Sequence, residues 1–294
     1  MDPNLKRRLT LGPVMLAVLG GVLLGDYFLE EATGVKGLGV LALLLLVVPL
    51  ANVELATLFT ARNASPFKLI ASLGGIAIVV HAFLTQFAGF KPIAASTLAF
   101  IMAAVPLASA LRKVFFRETE QAILSMAGTL LAVMYIGGLA WFLMAIRVKE
   151  GRPFIDGEPA FVGSTAHILT VLLCVKFTDI GAYFTGKNLG RHKLIAWLSP
   201  GKTWEGLAGG LVVAALVGMA CAPMLPEVEW WKGAIFGAIL GFVGQCGDLL
   251  ESLMKRDADV KDSGQSVPGF GGVLDVIDSP LVAAPVAYLL FSLA

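Results

Sequence analysis

Five carboxylates fall where the chain is otherwise apolar. Asp179 lies in "VKFTDIGAYFTGK", Asp248 and Glu251 in "GQCGDLLESLMKR", and Asp275 and Asp278 in "GGVLDVIDS". An ionisable group inside an apolar segment is costly, so it marks function by default. Within each of the last two pairs the three-residue spacing puts both side chains on one helical face. Two such pairs on consecutive helices, joined by one short loop, offer oxygen ligands alone. That set suits a hard cation, and Mg²⁺ where phosphate is handled. Asp248, Asp275 and Asp278 are taken as the metal ligands. Glu251 stands four residues before Lys255, the spacing of an ordinary helical ion pair, and is assigned there. Asp275 and Asp278 also suit a helix start, where the dipole favours negative charge.

Groups that could hold phosphate lie close to these acids in sequence. "GKNLGRHKLIAWLSPGKTWEG", residues 186–206, carries Lys187, Arg191, His192, Lys193 and Lys202 with the hydroxyls of Ser199 and Thr203. Its "GKT" is not a Walker loop, because position 196 is alanine where that pattern needs glycine. What remains is a Pro-Gly turn, a lysine, two hydroxyls and a capping threonine ahead of a helix, an arrangement suited to phosphate. A second polar stretch, "KDSGQSVPGFGGVLDVIDS", covers residues 261–279. Its glycines let the backbone turn tightly and approach a ligand closely. Lys261 and Asp262 stand on one side of that turn, Asp275 and Asp278 on the other. Cations beside carboxylates at a glycine turn suit a nucleoside triphosphate held through a metal.

Other polar residues read as structural. Glu54 is an isolated acid in an apolar run, placed to satisfy neighbouring polar groups. His81 and His167 are single histidines in apolar segments and read as packing residues. "NAS" at 63–65 fits a glycosylation acceptor but falls on the cytoplasmic side of the topology below. Cys174, Cys221 and Cys246 all lie in apolar runs and read as small core residues.

The elements that must position these groups are membrane helices. The chain has 294 residues, 57% hydrophobic and 15% charged, with net charge +1. Its mean hydropathy is +0.83. A soluble domain carries about 25% charged residues. The near-zero net charge gives no basic field for nucleic acid. Continuous apolar runs favour helices over a barrel. The predicted fold is all-α, a polytopic integral membrane protein of about nine transmembrane helices. These are placed near 10–28, 37–60, 68–88, 92–111, 121–146, 164–186, 206–226, 231–254 and 273–294, each long enough to span. The basic, apolar amino-terminal stretch is read as the first span and not as a cleaved signal. With the amino terminus inside, fifteen Lys and Arg fall in inner segments against six in outer ones, and Lys176 falls within a span. That asymmetry places loops 187–205 and 255–272 in the cytoplasm. Polar detail is concentrated in the last four spans. The chain is therefore divided into residues 1–160, N-terminal membrane helices, and residues 161–294, a C-terminal catalytic membrane region.

At these residues the chain resembles a known family. "SLMKRDADVKDSGQSVPGFGGVLDVIDS", residues 252–279, is similar to the signature of phosphatidate cytidylyltransferases, also called CDP-diacylglycerol synthases. Ser252, Lys255, Arg256, Lys261, Asp262, Pro268, Gly269, Gly271, Gly272, Asp275 and Asp278 match it in spacing. "DIGAYFTGK" and "SPGKTWEG" resemble two further family stretches. Two positions depart: Phe270 stands where the family has histidine, and Val276 where it has arginine. Arg191 and His192 are the substitutes available for the missing donors.

The resemblance implies a reaction in which CTP and phosphatidate give CDP-diacylglycerol and pyrophosphate. It implies a catalytic set of Asp248, Lys255, Asp262, Asp275 and Asp278. It implies substrate contacts from Asp179, Lys187, Arg191, His192, Ser199, Lys202, Thr203, Arg256, Lys261, Gly271 and Gly272. It also implies Mg²⁺ with K⁺ as a second cation, a homodimer, and a place in the inner cell membrane, with no nucleic-acid partner. Two rival classes fit buried acids in glycine-rich helices, a cation-coupled transporter and a CTP-dependent lipid kinase. No internal repeat between the halves supports the transporter.

Overall fold

The computed structural model describes residues 3–61, 64–149, 154–155, 158–159, 163–225, 228–267, Gly269 and 271–294. Asn63, Pro268 and Phe270 lie outside the described residues. Every apolar run expected from sequence is helical. The helices are α1 (Pro3–Thr33), α2 (Leu38–Thr60), α3 (Lys68–Leu84), α4 (Ala94–Phe115), α5 (Ala122–Ala132) and α6 (Leu139–Val148). They continue with α7 (Gly163–Leu189), α8 (Trp204–Cys221), α9 (Trp230–Asp257) and α10 (Leu274–Leu293). Among the described residues, seven helical segments are long and apolar enough to cross a membrane. Helix α3, at 17 residues, is shorter; at 1.5 Å per residue it reaches about 25 Å, less than the hydrocarbon thickness. Large apolar side chains such as Phe100, Val114, Phe115 and Ile123 face outward. Against lipid that exposure is favourable.

Contacts divide the chain into two compact units. The first comprises residues 1–148 with 257–276, the second 149–256 with 277–294. In the first unit α3 packs against α2, α4 and α6. Gly74 and Gly75 make this possible, since a β-carbon there would meet Val105, Val133, Val48 or Asn52. Between α5 and α6 the chain widens into a π-helical turn, Val133–Gly138, whose Gly137 lies directly on Gly75. Arg147 is wholly buried, so its charge must be paired. Its Nε donates to Asp26 at 2.5 Å and its Nη2 to Glu30 at 2.6 Å. Asp26 also accepts from the Gly39 amide, joining α1, α2 and α6. His81 is a structural residue, as read from sequence. It accepts from Trp141 Nε1 at Nδ1 (3.0 Å) and donates from Nε2 to the Ala94 carbonyl (2.8 Å).

In the second unit, glycines let the helices touch backbone to backbone. Gly181 and Gly210 join α7 to α8, as do Gly186 and Gly206. Gly218, Gly233 and Gly237 join α8 to α9, and Gly247 admits the first turns of α10 at Asp278 and Ser279. Small residues at crossings are how membrane helices gain close packing. His167 stacks edge-on against Phe291. Cys174 and Cys221 are buried free thiols, as expected of core residues. Among the described residues, two antiparallel strand pairs interrupt the helices. Strands β1 (Phe154–Ile155) and β2 (Glu158–Pro159) pair antiparallel, as do β3 (Lys193–Ile195) and β4 (Ser199–Thr203). The second hairpin corrects the reading of "SPGKT" as a Pro-Gly turn. Pro200 and Gly201 lie inside strand β4, and the turn falls at 196–198, closed by Leu198 N to Ile195 O.

Candidate active site

The polar centre of the second unit is built on α9. Gln245, Asp248, Glu251 and Lys255 succeed one another at three or four residues, so one helical face carries them all. Asp248, Glu251 and Asp278 bring their carboxylate oxygens within 4.8 Å of one another. Glu251 and Asp278 are buried, at 1% and 3% exposure, and Asp248 is half-buried. Repulsion between two carboxylates at that separation is about 3 to 4 kcal/mol even at an effective dielectric near 20. The chain concentrates negative charge here and supplies cations beside it. Lys202 Nζ lies 2.5 Å from Asp248 Oδ2 and donates to the Gln245 carbonyl at 3.4 Å. Lys255 Nζ lies 3.0 Å from Glu251 Oε2. Across from α9, Asp179 on α7 accepts from Gln245 Nε2 at 2.7 Å. Lys176, one turn earlier on α7, is within electrostatic reach of both Asp179 and Asp278.

The helical pair of Glu251 with Lys255 is present, as the spacing predicts. Glu251 also belongs to the acid cluster, although its assignment to Lys255 left it out of the expected metal set. Three all-oxygen ligands, two of them buried and close together, fit a hard divalent cation. Gln245 was also missed; its signal was a lone amide in the apolar run preceding Asp248.

The β3–β4 hairpin presents Lys202 to this centre. Thr203 caps α8, its hydroxyl accepting from the Gly206 amide at 3.0 Å. Arg256 Nε reaches the Leu198 carbonyl in the hairpin turn at 3.5 Å. Glu205, unremarked in the sequence, closes the hairpin's approach. It accepts from the backbone amides of Arg191 (3.1 Å) and His192 (3.2 Å) and from His192 Nδ1 (2.5 Å). His192 is therefore held by a carboxylate through one ring nitrogen, with its ring otherwise exposed. Arg191 is exposed, and the Lys187 ammonium lies over the Tyr183 ring at 5.7 Å. Ser199 opens β4 and is half-buried.

The glycine turn belongs to the first unit. Val267 and Gly271 exchange backbone hydrogen bonds, closing a tight loop in which Gly269 and Gly271 have φ of 84° and 105°. Those angles explain two of its glycines. Asp275 Oδ2 accepts three hydrogen bonds from the turn: Gly272 N at 2.6 Å, Ser263 Oγ at 2.9 Å and Ser263 N at 3.1 Å. Lys261 and Asp262 are exposed at its entrance. The close approach that glycine permits here is to the protein's own carboxylates. A β-carbon on Gly271 would meet Asp275, and one on Gly272 would meet Ser263 and Glu54.

The sequence model of the cytidylyltransferase family matches residues 13–294. Phosphatidate cytidylyltransferase of Synechocystis is 38% identical over 190 residues, covering 59% of this chain and 64% of that protein. The Bacillus subtilis phosphatidate cytidylyltransferase is 38% identical over 165 residues, covering 55% and 57%. The uncharacterized protein YnbB of Escherichia coli is 35% identical over 161 residues, covering 55% and 50%. The chain thus spans about half to two thirds of the length of the curated relatives it matches. With helices able to cross a membrane, an acid cluster suited to a divalent cation, and a family match over nearly all its length, this chain belongs to the cytidylyltransferase family.

Proposed function

We propose that the protein transfers CMP from CTP to phosphatidate, giving CDP-diacylglycerol and pyrophosphate. The observation that carries this reading is the acid cluster of Asp248, Glu251 and Asp278 with Lys202 paired to Asp248. Nucleotidyl transfer needs little covalent help from protein; it needs positioning and charge neutralisation at the transferring phosphorus. Asp248, Glu251 and Asp278 would hold Mg²⁺, while Asp275, expected from sequence as a ligand, accepts from Ser263 and Gly272 within the glycine turn. The metal, when bound, supplies charge neutralisation on the triphosphate and eases departure of pyrophosphate. Lys202, Lys255, Arg256 and Lys261 bind phosphate oxygens, and Lys187, Arg191, His192, Ser199 and Thr203 line the nucleotide's approach. Asp179 fixes the Gln245 amide and with it the α9 backbone that receives Lys202. Asp262, exposed at the entrance of the glycine turn, belongs to the nucleotide side, and the Gly271 and Gly272 amides, taken by Val267 and Asp275, shape that turn.

A phosphatidate oxygen then attacks the α-phosphorus, while the acyl chains stay among the apolar helices. Residues 161–294 carry the proposed catalytic groups. Loops 187–205 and 255–272 face the cytoplasm across the inner membrane, where CTP is available. K⁺ serves as a second cation, and the working form is a homodimer. Relatives named phosphatidate cytidylyltransferase support the substrate assignment. The test is purified protein in phosphatidate-containing vesicles with CTP labelled at either phosphate. Label from the α-position alone should enter lipid. Label from the γ-position would mark a lipid kinase, and label from neither would sink the reading.

A further inference from the structure

Glu54 sits in α2, 209 to 220 residues from the groups it touches. Its side chain is buried at 7% exposure. One oxygen, Oε1, accepts from Ser266 Oγ at 2.6 Å and from the Val273 amide at 3.0 Å. The other, Oε2, accepts from the Leu274 amide at 2.9 Å and lies 3.4 Å from Ser263 Oγ. Val273 and Leu274 open α10, so the carboxylate also sits at that helix's positive end. The space beside Gly264 and Gly272 is filled by the same carboxylate, since a β-carbon at either would meet it. Ser263 links the two anchors, because its hydroxyl donates to Asp275 and stands beside Glu54. Glu54 thus holds both ends of the segment 263–274.

We propose that Glu54 is the positioning residue of the glycine turn: its buried carboxylate gathers Ser266, Val273 and Leu274 and fixes the segment that carries Lys261, Asp262 and Asp275 at its borders. The inference rests on the reading of that segment as part of the nucleotide site. Glu54 touches no substrate; it acts through the shape of the turn. Its charge is met by donors and a helix terminus, which are charge-assisted bonds, about twice as strong as neutral ones. Glutamine at this position keeps the size but replaces one oxygen by an NH₂ group. Either orientation then sets two donors against each other, at Ser266 and Val273 or at Leu274.

The experiment uses the full chain in lipid nanodiscs, as wild type, Glu54→Gln, Ser266→Ala and the double variant. Two quantities are read: the rate of tryptic cleavage after Lys261, with cleavage after the exposed Lys193 as internal control, and the CTP dependence of CDP-lipid formation. Glu54→Gln should speed cleavage after Lys261 about tenfold or more, leave the control within about twofold, and raise the CTP requirement about tenfold with less change in kcat. Ser266→Ala should do the same to a smaller extent and add less than its own effect to Glu54→Gln, since the Ser266 bond is one of those that Glu54 makes. Unchanged cleavage, an unchanged CTP requirement, or fully additive effects in the double variant would overturn the proposal. Should Glu54→Gln fail to insert, Ser266→Ala alone decides in the same way. A wild type that makes no CDP-lipid would defeat the functional reading, while the cleavage rates would still decide whether Glu54 holds the turn.

Discussion

Lys202 of β4 and Asp248 of α9 form an ion pair at 2.5 Å, with the lysine side chain 17% exposed and the aspartate 38%. The pair brings a hairpin residue onto the helix that carries the acid cluster. A half-exposed pair contributes little to stability, of order 0 to 1 kcal/mol. Lys202, proposed above as a phosphate ligand, should therefore matter for turnover more than for stability. Lys202→Ala is expected to leave the unfolding temperature within a few degrees and to lower kcat/KM for CTP by about a hundredfold or more. Steady-state kinetics with a parallel thermal melt check both halves. A variant that melts early but turns over normally would make the pair structural.

Crowded carboxylates that serve a cation are a burden without it. Asp278→Asn removes one of three acids within 4.8 Å. In chelator, this variant should melt at a higher temperature than wild type, because mutual repulsion is relieved. Added Mg²⁺ should raise the wild-type melting temperature and move the variant less. Activity of the variant should fall by more than about a hundredfold. If Asp278→Asn instead lowers the melting temperature in chelator, the acids are held for the fold and not for a metal.

Two glycines, both conspicuous in the sequence, should part company under substitution. Gly272→Ala drives a β-carbon into Ser263 and Glu54, whereas Gly201 has open space around it. Gly272→Ala should open the turn to protease and lose most activity. Gly201→Ala should stay within about 0.5 kcal/mol of wild type in stability, as surface changes do, and keep near-normal turnover. A large activity loss at Gly201 would mean that a ligand occupies the open space beside it.

The cation count, fifteen in the segments expected inside against six outside, predicts the sidedness of the loops. Cysteines introduced at Asn188 and Gln265, in a background lacking Cys174, Cys221 and Cys246, should resist an impermeant thiol reagent in intact cells and react after lysis. Ready labelling from outside would overturn the orientation.

The helices were legible because each apolar run is long and continuous, and because membrane packing tolerates prolines such as Pro49, Pro106, Pro280 and Pro285 inside a helix. The π-turn at Val133–Gly138 was not, since its partner Gly75 lies on another helix and nothing local marks the meeting. Asp248 and Asp278 stood out as charges in grease. Glu251 was half-read: its partner Lys255 is four residues away and visible, its neighbour Asp278 is on another helix and not. Glu54 was correctly read as satisfying polar neighbours, but their identity depends on contacts across more than two hundred residues. The hairpin at 193–203 is hidden in the sequence because Pro-Gly is a turn signal, and here pairing of β4 with β3 outweighs it.

The glycine seams of α7, α8 and α9 have a consequence for how this protein can drift. Helices that meet backbone to backbone at Gly181, Gly210, Gly218, Gly233 and Gly237 have no rotamers to rearrange there. A lipid-facing residue such as Val212 or Phe242 can exchange for any greasy neighbour, since acyl chains refill the gap. A seam position has no such cushion, and even alanine must push two backbones apart. Saturation mutagenesis would therefore read as a ruled page, with blank lines where the seams run and dense text between. The blank lines would lead, along Gly241, Gly244 and Gly247, to the acids.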